Sequence, residues 1–313
     1  MRLAIMGAGA VGRSVAELAG DYGHSVTAIA DSSGAVVDPD GLAVEAAFES
    51  KARTGTVGDE PATAALDADY DVLVEATPTT LGDAEPGFTN VAAALDRDRH
   101  VVLANKGPVA ERYDEVMALA ADSEGEVRFE ATVGGAIPAI ATMEGIGPER
   151  VETARGVLNG TANFILTRMA KEGLAYDQVL AEAQDLGVAE ADPSFDVEGT
   201  DAALKCTIIA NVLNDGGFTL DDARVDGITD LPTSALEVAA EDGRTIRLIG
   251  EVTADAIRVG PRLVPQHDTL AVSNTMNIVQ FETAHAGRLN ISGRGAGGPE
   301  TASAVLADVD RLD

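Results

Sequence analysis

The sequence predicts an α/β chain: a doubly wound parallel sheet over residues 1–130, a second α+β domain over 131–297, and a C-terminal helix over 298–313 returning to the first domain. Three observations carry this. At 313 residues the chain exceeds one common domain of about 100 to 200 residues. Short apolar runs bounded by turn residues, Leu3 to Met6, Val26 to Ala30, Val72 to Glu75 and Val101 to Ala104, alternate with helical patterns as far as Phe129. Such alternation builds a parallel sheet covered by helices on both faces. After Glu130 helical segments come first, at about Thr161 to Lys171, Tyr176 to Leu186 and Thr200 to Leu213. Strand-like runs follow at Thr245 to Val252, Ile257 to Val264 and Ile278 to Ala284, then a last helical pattern from Glu300 to Arg311.

Charge narrows the class of partner. The chain has 52 acidic and 22 basic residues, a formal net charge of -30, which excludes phosphate backbones and anionic membrane surfaces as partners. The acids are spread out and 45% of residues are hydrophobic, so the composition is that of a folded protein with an acidic surface, not a disordered tail. Lysine occurs four times, at positions 51, 106, 171 and 205. Scarce lysine with abundant Asp, Glu and Ala suits a halophilic cytoplasm, where a Debye length of about 3 Å at molar salt screens self-repulsion. Low salt is expected to destabilise the fold.

The lone Cys206 has no partner for a disulfide and no metal-ligand spacing around it, and is expected to be a small buried apolar side chain. With no signal-like N-terminus and no apolar run of 18 residues, a soluble cytoplasmic protein is expected. There is no internal repeat, and the glycine-rich stretch Gly287 to Gly298 is too short and mixed for a linker.

Gly7-Ala8-Gly9-Ala10-Val11-Gly12 follows the first apolar run and precedes a helical pattern from Arg13 to Ala19. The first glycine permits a tight turn, the second lets backbone approach a pyrophosphate, and the third allows close helix packing, as in a Rossmann-type dinucleotide site. The helix N-terminus then offers free N–H groups and its positive dipole end to the phosphates. Asp31 closes the next strand, placed to accept hydrogen bonds from the adenosine ribose and to favour NAD. Glu75-Ala76-Thr77-Pro78 and Ala104-Asn105-Lys106-Gly107-Pro108 end two further strands at the same crevice, so Lys106 is a candidate for cofactor or substrate contact.

The densest chemistry runs from Gly187 to Lys205. Asp201 and Lys205 are four apart on a helix that Thr200 is expected to cap, so both lie on one face. Such a pair is commonly a surface contact worth about 0.2 to 0.5 kcal/mol. Here the neighbours Ala202, Ala203, Leu204, Cys206, Ile208 and Ile209 are apolar, which argues a buried helix and a polar pocket shared with Glu190, Asp192 and Asp196. Aldehyde reduction needs hydride and a proton at the carbonyl oxygen, and an ammonium made more acidic by desolvation or by a second cation such as Lys106 supplies the proton. Nearby acids would grip an amino group, so an amino-acid-like substrate fits.

These residues resemble the homoserine dehydrogenase family: Ala183, Gly187, Asp192-Pro193, Asp196, Gly199, Asp201 and Lys205 fall at the spacings of its signature. The likeness extends from residue 7 to Gly293-Arg294-Gly295-Ala296-Gly297-Gly298 with Thr301-Ala302. It implies that Lys205 donates the proton, with Lys106 near nicotinamide and substrate, and that Glu190 and Asp201 hold homoserine with help from Asp196. It implies that Thr77, Gly187 and Gly297 line the cofactor. It also implies a structural sodium ion on Glu130 and the backbone of Val133, Gly135 and Ile137, a homodimer joined through the second domain, and a site between the domains. Without the regulatory domain of longer relatives, threonine feedback is put in doubt, and without a basic residue just after Asp31 the choice between NAD and NADP stays open. Two rival readings remain: another two-domain oxidoreductase of a small carbonyl or imine, and a non-catalytic dinucleotide sensor that would tolerate loss of Lys205.

Overall fold

The first strands explain their own burial. In the computed structural model, which describes residues 1–312, β1 (Arg2–Met6), β2 (Ser25–Ala30), β3 (Ala35–Val37), β4 (Val72–Glu75), β5 (His100–Leu103) and β6 (Val127–Arg128) form one sheet in the order β3-β2-β1-β4-β5-β6. All neighbours are parallel except the edge pair β2 and β3. Leu3, Ile5, Ile29, Val72, Leu73, Val74, Val101 and Val102 are fully buried, as unbroken apolar runs covered on both faces must be. Each such side chain contributes about 1.5 to 3 kcal/mol. The sheet order reverses between β1 and β4, and ligands of such sheets lie beyond the strand ends at that switch point.

This sheet belongs to a unit of Met1–Ala136 with Ala296–Asp313. Residues 131–136 go with it, six beyond the expected boundary, because the helical turn Ala131–Gly134 carries Ala131 into the same apolar cluster as the C-terminal helix, Gly298–Val309. That helix packs on the helix after β1, Ala10–Leu18, through Ala302, Val305 and Leu306.

The second unit, Ile137–Gly295, has its own sheet of β7 (Val151–Val157), β8 (Ala223–Val225), β9 (Arg244–Thr253), β10 (Ala256–Pro265), β11 (Met276–Thr283) and β12 (Gly287–Arg294). The order is β12-β11-β7-β9-β10-β8, antiparallel except for β8 with β10. Helix Thr200–Asn214 packs on β9 and β10 and is buried from Asp201 to Asn211, which its all-round apolar sequence requires. Its cap differs from expectation: Gly199, at φ +90°, takes the N-cap position and Thr200 is the first helical residue. Strands β3, β6, β7, β8 and β12 were not marked by the sequence patterns, and β12 occupies most of the glycine-rich stretch. Among the described residues no helix is long and apolar enough to cross a membrane.

Candidate active site

The dinucleotide motif sits where β1, β2 and β4 end together. Gly7 N–H donates to Ala30 O at 2.9 Å and Ala76 N–H to Met6 O at 2.8 Å. Gly7 has φ +107°, and a Cβ there would overlap the Ala76 carbonyl; one at Gly12 would overlap Gly7 O. Gly9 differs: it is exposed, faces open space, and is the N-cap of helix Ala10–Leu18 with no side chain capping it and no acid in the first turn. The helix N-terminus thus keeps unscreened positive dipole and space for a diphosphate, and the motif fits a dinucleotide.

Asp31 is committed elsewhere than expected. Its Oδ1 accepts the N–H groups of Ser33 at 2.8 Å and Gly34 at 3.0 Å; its Oδ2 accepts Lys51 Nζ at 2.7 Å and Val57 N–H at 3.2 Å. With two donors on each oxygen and a side chain 6% exposed, the carboxylate has no lone pair left for a ribose hydroxyl unless Lys51 moves away. The charge presented outward is the Lys51 ammonium, 33% exposed.

Buried Glu75, at the end of β4, ties the other two strand ends together. Its carboxylate accepts Thr77 N–H at 2.9 Å, the Thr77 hydroxyl, Asn90 Nδ2 at 2.7 Å and Asn105 Nδ2 at 3.3 Å. Asn105 Oδ1 accepts Gly107 N–H at 3.0 Å, and Lys106 N–H donates to Thr79 Oγ1 at 3.3 Å. Desolvation raises the Glu75 carboxyl above its ordinary value despite these donors. Thr77 and Asn105 are therefore held in one network centred on Glu75, and Lys106 follows Asn105 in the chain with its N–H on Thr79; Glu75 and Asn90 have no role in the sequence analysis.

In the second unit Lys205 Nζ donates to Asp201 Oδ2 and to Leu158 O, both at 2.7 Å. The side chains of Lys205 and Asp201 are 8% and 9% exposed, so the pair is no surface contact. Asn159 Nδ2 donates to Asp201 Oδ2 at 2.9 Å and Asp196 Oδ1 at 2.6 Å, using both protons to bridge two carboxylates. Asn159 Oδ1 caps helix Gly160–Glu172 by accepting Ala162 N–H at 2.8 Å. Asn277 on β11 donates to the same Leu158 O at 2.9 Å. Asn159 and Asn277 escaped the sequence reading; an Asn before Gly160-Thr161 at a helix start was the available signal.

Glu190 is not drawn into this cluster: it is exposed, and only its backbone carbonyl is held, by Gln184 Nε2 at 3.1 Å. Asp192 turns onto Ser194, whose N–H and hydroxyl hold its carboxyl below the ordinary value. Gly187 is exposed at φ +69°, and Gly297 is the N-cap of the C-terminal helix at φ +128°, where a Cβ would meet the Glu300 carboxylate. Of the segment 130–137, the Glu130 carboxylate is buried with Arg311 Nη2 at 3.7 Å, Val133 lies in a helical turn, Gly135 has φ +57°, and Ile137 O accepts Ala139 N–H at 2.8 Å. Among the described residues no group of three or more His, Cys, Asp or Glu is arranged to hold a metal.

Two family models match. Residues 1–182 match the Glutamate/Leucine/Phenylalanine/Valine dehydrogenase model, a span that includes the parallel sheet, and residues 138–309 match the homoserine dehydrogenase model, a span that includes the Lys205 helix. The homoserine dehydrogenase of Methanocaldococcus jannaschii is 40% identical over 99% of this chain and 97% of its own length. A crystal structure from Archaeoglobus fulgidus superposes with a TM-score of 0.92 at 42% identity, covering 99% of this chain and 98% of that one. A hyperthermophilic archaeal homoserine dehydrogenase solved with NADPH gives a TM-score of 0.85 at 29% identity over 99% of this chain and 96% of that one. With relatives matched over nearly their full length and the Asp201–Lys205 pair of the signature buried as its apolar neighbours predict, the chain belongs to the homoserine dehydrogenase family.

Proposed function

We propose that the chain interconverts L-homoserine and L-aspartate 4-semialdehyde with NAD or NADP, Lys205 giving the proton to the carbonyl oxygen in the reducing direction. The observation that carries this is a buried ammonium held by one carboxylate and one backbone carbonyl, with its third N–H uncommitted among the described residues. The bound nicotinamide supplies hydride to the carbonyl carbon. Lys205 transfers its proton as negative charge builds on the oxygen, and in the opposite direction its neutral amine takes the hydroxyl proton. Asp201 fixes the ammonium in place. Asp196, Asp201 and Glu190 hold the substrate's amino and hydroxyl ends, and Lys106 is the second cation of the reaction. The names of the full-length relatives support this reaction, and the NADPH-bound relative supports a nicotinamide cofactor.

The saturated Asp31 carboxylate and the outward Lys51 ammonium support NADP over NAD, because an ammonium complements a 2′-phosphate. The same reading gives a homodimer formed through the second unit, working in a salt-rich cytoplasm in threonine, methionine and isoleucine synthesis. A sodium ion on the 130–137 segment is supported by the buried Glu130 carboxylate, although Arg311 competes for that charge.

A spectrophotometric assay in molar KCl with homoserine and each cofactor tests the proposal. Reduced cofactor should form and Lys205→Ala should lower turnover by orders of magnitude while leaving dinucleotide binding intact. No reduced cofactor with either nucleotide, or unchanged turnover in the variant, would refute it.

A further inference from the structure

The second unit holds a pocket of about 220 Å³ bordered by the last turn of helix Gly160–Glu172, helix Thr233–Glu241, the start of β9 and the segment after β10. Lys171, Arg244 and Arg247 line it together with Thr245, Gln266 and Ser273, and no acidic residue does. In a chain where acids outnumber bases 52 to 22, a concave surface with three cations and no carboxylate departs from the whole composition.

Arg247 makes the departure costly. It is 4% exposed and has no carboxylate partner among the described residues. Its Nε donates to Val272 O at 2.8 Å, and Nη1 to Thr245 Oγ1 at 2.7 Å and Ile246 O at 2.8 Å, whereas Nη2 has no hydrogen-bond partner among the described residues. Burial lowers its pKa to about 10, so it stays charged at neutral pH, and a buried charge without a counter-ion is unfavourable. Lys171 likewise has no ion-pair partner among the described residues, and Arg244 meets only the exposed Asp242 at 3.1 Å.

We propose that this pocket is an oxyanion site that takes a small phosphate or carboxylate, with Arg247 as its buried anchor and Lys171 as its second charge. The Nη2 N–H groups of Arg247, which its other hydrogen bonds leave over, are charge-assisted donors to an oxygen of either group, and the ammonium adds a point charge. At about 220 Å³ the pocket is smaller than the roughly 300 to 1,000 Å³ of drug-sized ligand sites, which excludes a second dinucleotide and fits an anion of a few heavy atoms.

The test is calorimetric titration of the full chain with sodium phosphate and, separately, sodium succinate, at constant ionic strength set with KCl. Saturable binding of at least one probe is expected, and the tighter arm tells phosphate from carboxylate chemistry. Lys171→Met, at an exposed position, should weaken that binding roughly tenfold, the worth of one charge-assisted hydrogen bond. Arg247→Met should abolish it, with circular dichroism checking the fold. No saturable binding of either probe, or equal binding by wild type and Lys171→Met, overturns the proposal. So does dissociation of a native oligomer by a folded Arg247→Met in the absence of probe binding to wild type, because the guanidinium would then serve a subunit contact.

Discussion

Lys205 Nζ stands 2.7 Å from Asp201 Oδ2 across one helical turn, with both side chains less than a tenth exposed. A buried pair of this kind is weak evidence for stability, because the desolvation of two charges offsets their attraction. Removing one partner is different: it strands the other charge at a cost of about 3 to 5 kcal/mol. Lys205→Arg separates the two roles, since a guanidinium keeps the charge next to Asp201 but does not release a proton in a protein. Its melting temperature should stay close to wild type while kcat falls by about 10² to 10⁴. Retained turnover in a folded Lys205→Arg would remove the proton-donor role.

Asn159 bridges Asp196 and Asp201 through its amide N–H groups and caps its own helix through its amide oxygen, so its two ends are separable by substitution. Asn159→Ala should lose about 1 kcal/mol from the cap and also lower kcat/KM for homoserine. Asn159→Ser restores a cap without the bridge: its melting temperature should recover while kcat/KM remains roughly tenfold low or worse. Recovery of both together would show that Asn159 acts only on the fold.

The Lys51–Asp31 pair makes one prediction for cofactor choice and one for acid stability. Lys51→Ala should raise KM for NADP at least about tenfold relative to NAD, and an unchanged ratio would exclude Lys51 from cofactor selection. Burial by itself would raise the Asp31 carboxyl, but Lys51 and the Ser33 and Gly34 N–H groups outweigh it and hold the group below its ordinary 3.8. A depressed carboxyl stabilises the fold above its unfolded value, and that contribution is lost as pH falls through the folded value. Thermal melting should therefore show Lys51→Ala less stable than wild type above pH 3.8, with the gap closing below it.

Cys206 faces β9 at Gly250, where an added Cβ would overlap the Cys206 sulfur. Burial pushes the thiol pKa up to about 12, so the native protein should not react with a thiol reagent at pH 8, and one thiol should titrate after unfolding. Gly250→Ala should destabilise the fold by about 1 to 3 kcal/mol through overpacking. A native-state reaction at the rate of the unfolded chain would contradict the burial.

Much of the fold was legible because it is written in local periods. The apolar runs at residues 3, 26, 72 and 101 became β1, β2, β4 and β5, and the glycine spacing placed the turn after β1. The i, i+4 spacing of Asp201 and Lys205 sets their shared face within a single helix, so the sequence alone determined that pair. Its apolar surroundings also foretold burial. By contrast β3 and β8 span three residues each, too few for a period to register, and β12 is a polar edge strand among glycines.

What only the tertiary structure decided is who meets those local features. Asn159 and Leu158 reach Asp201 and Lys205 from 42 and 47 positions away, and Lys51 reaches Asp31 across 20, because chain crossings put them there. Spacing along a helix fixes geometry over a few ångströms, whereas these partners depend on how strands and helices pack, which no local pattern encodes. The Thr200 cap failed for a related reason: the chain enters that helix through a left-handed turn that Gly199 accommodates without a Cβ. Asp31 is the clearest case: its position at the end of β2 followed from sequence, but the presence of Lys51 against its carboxylate, and so the charge offered to a cofactor, followed from packing.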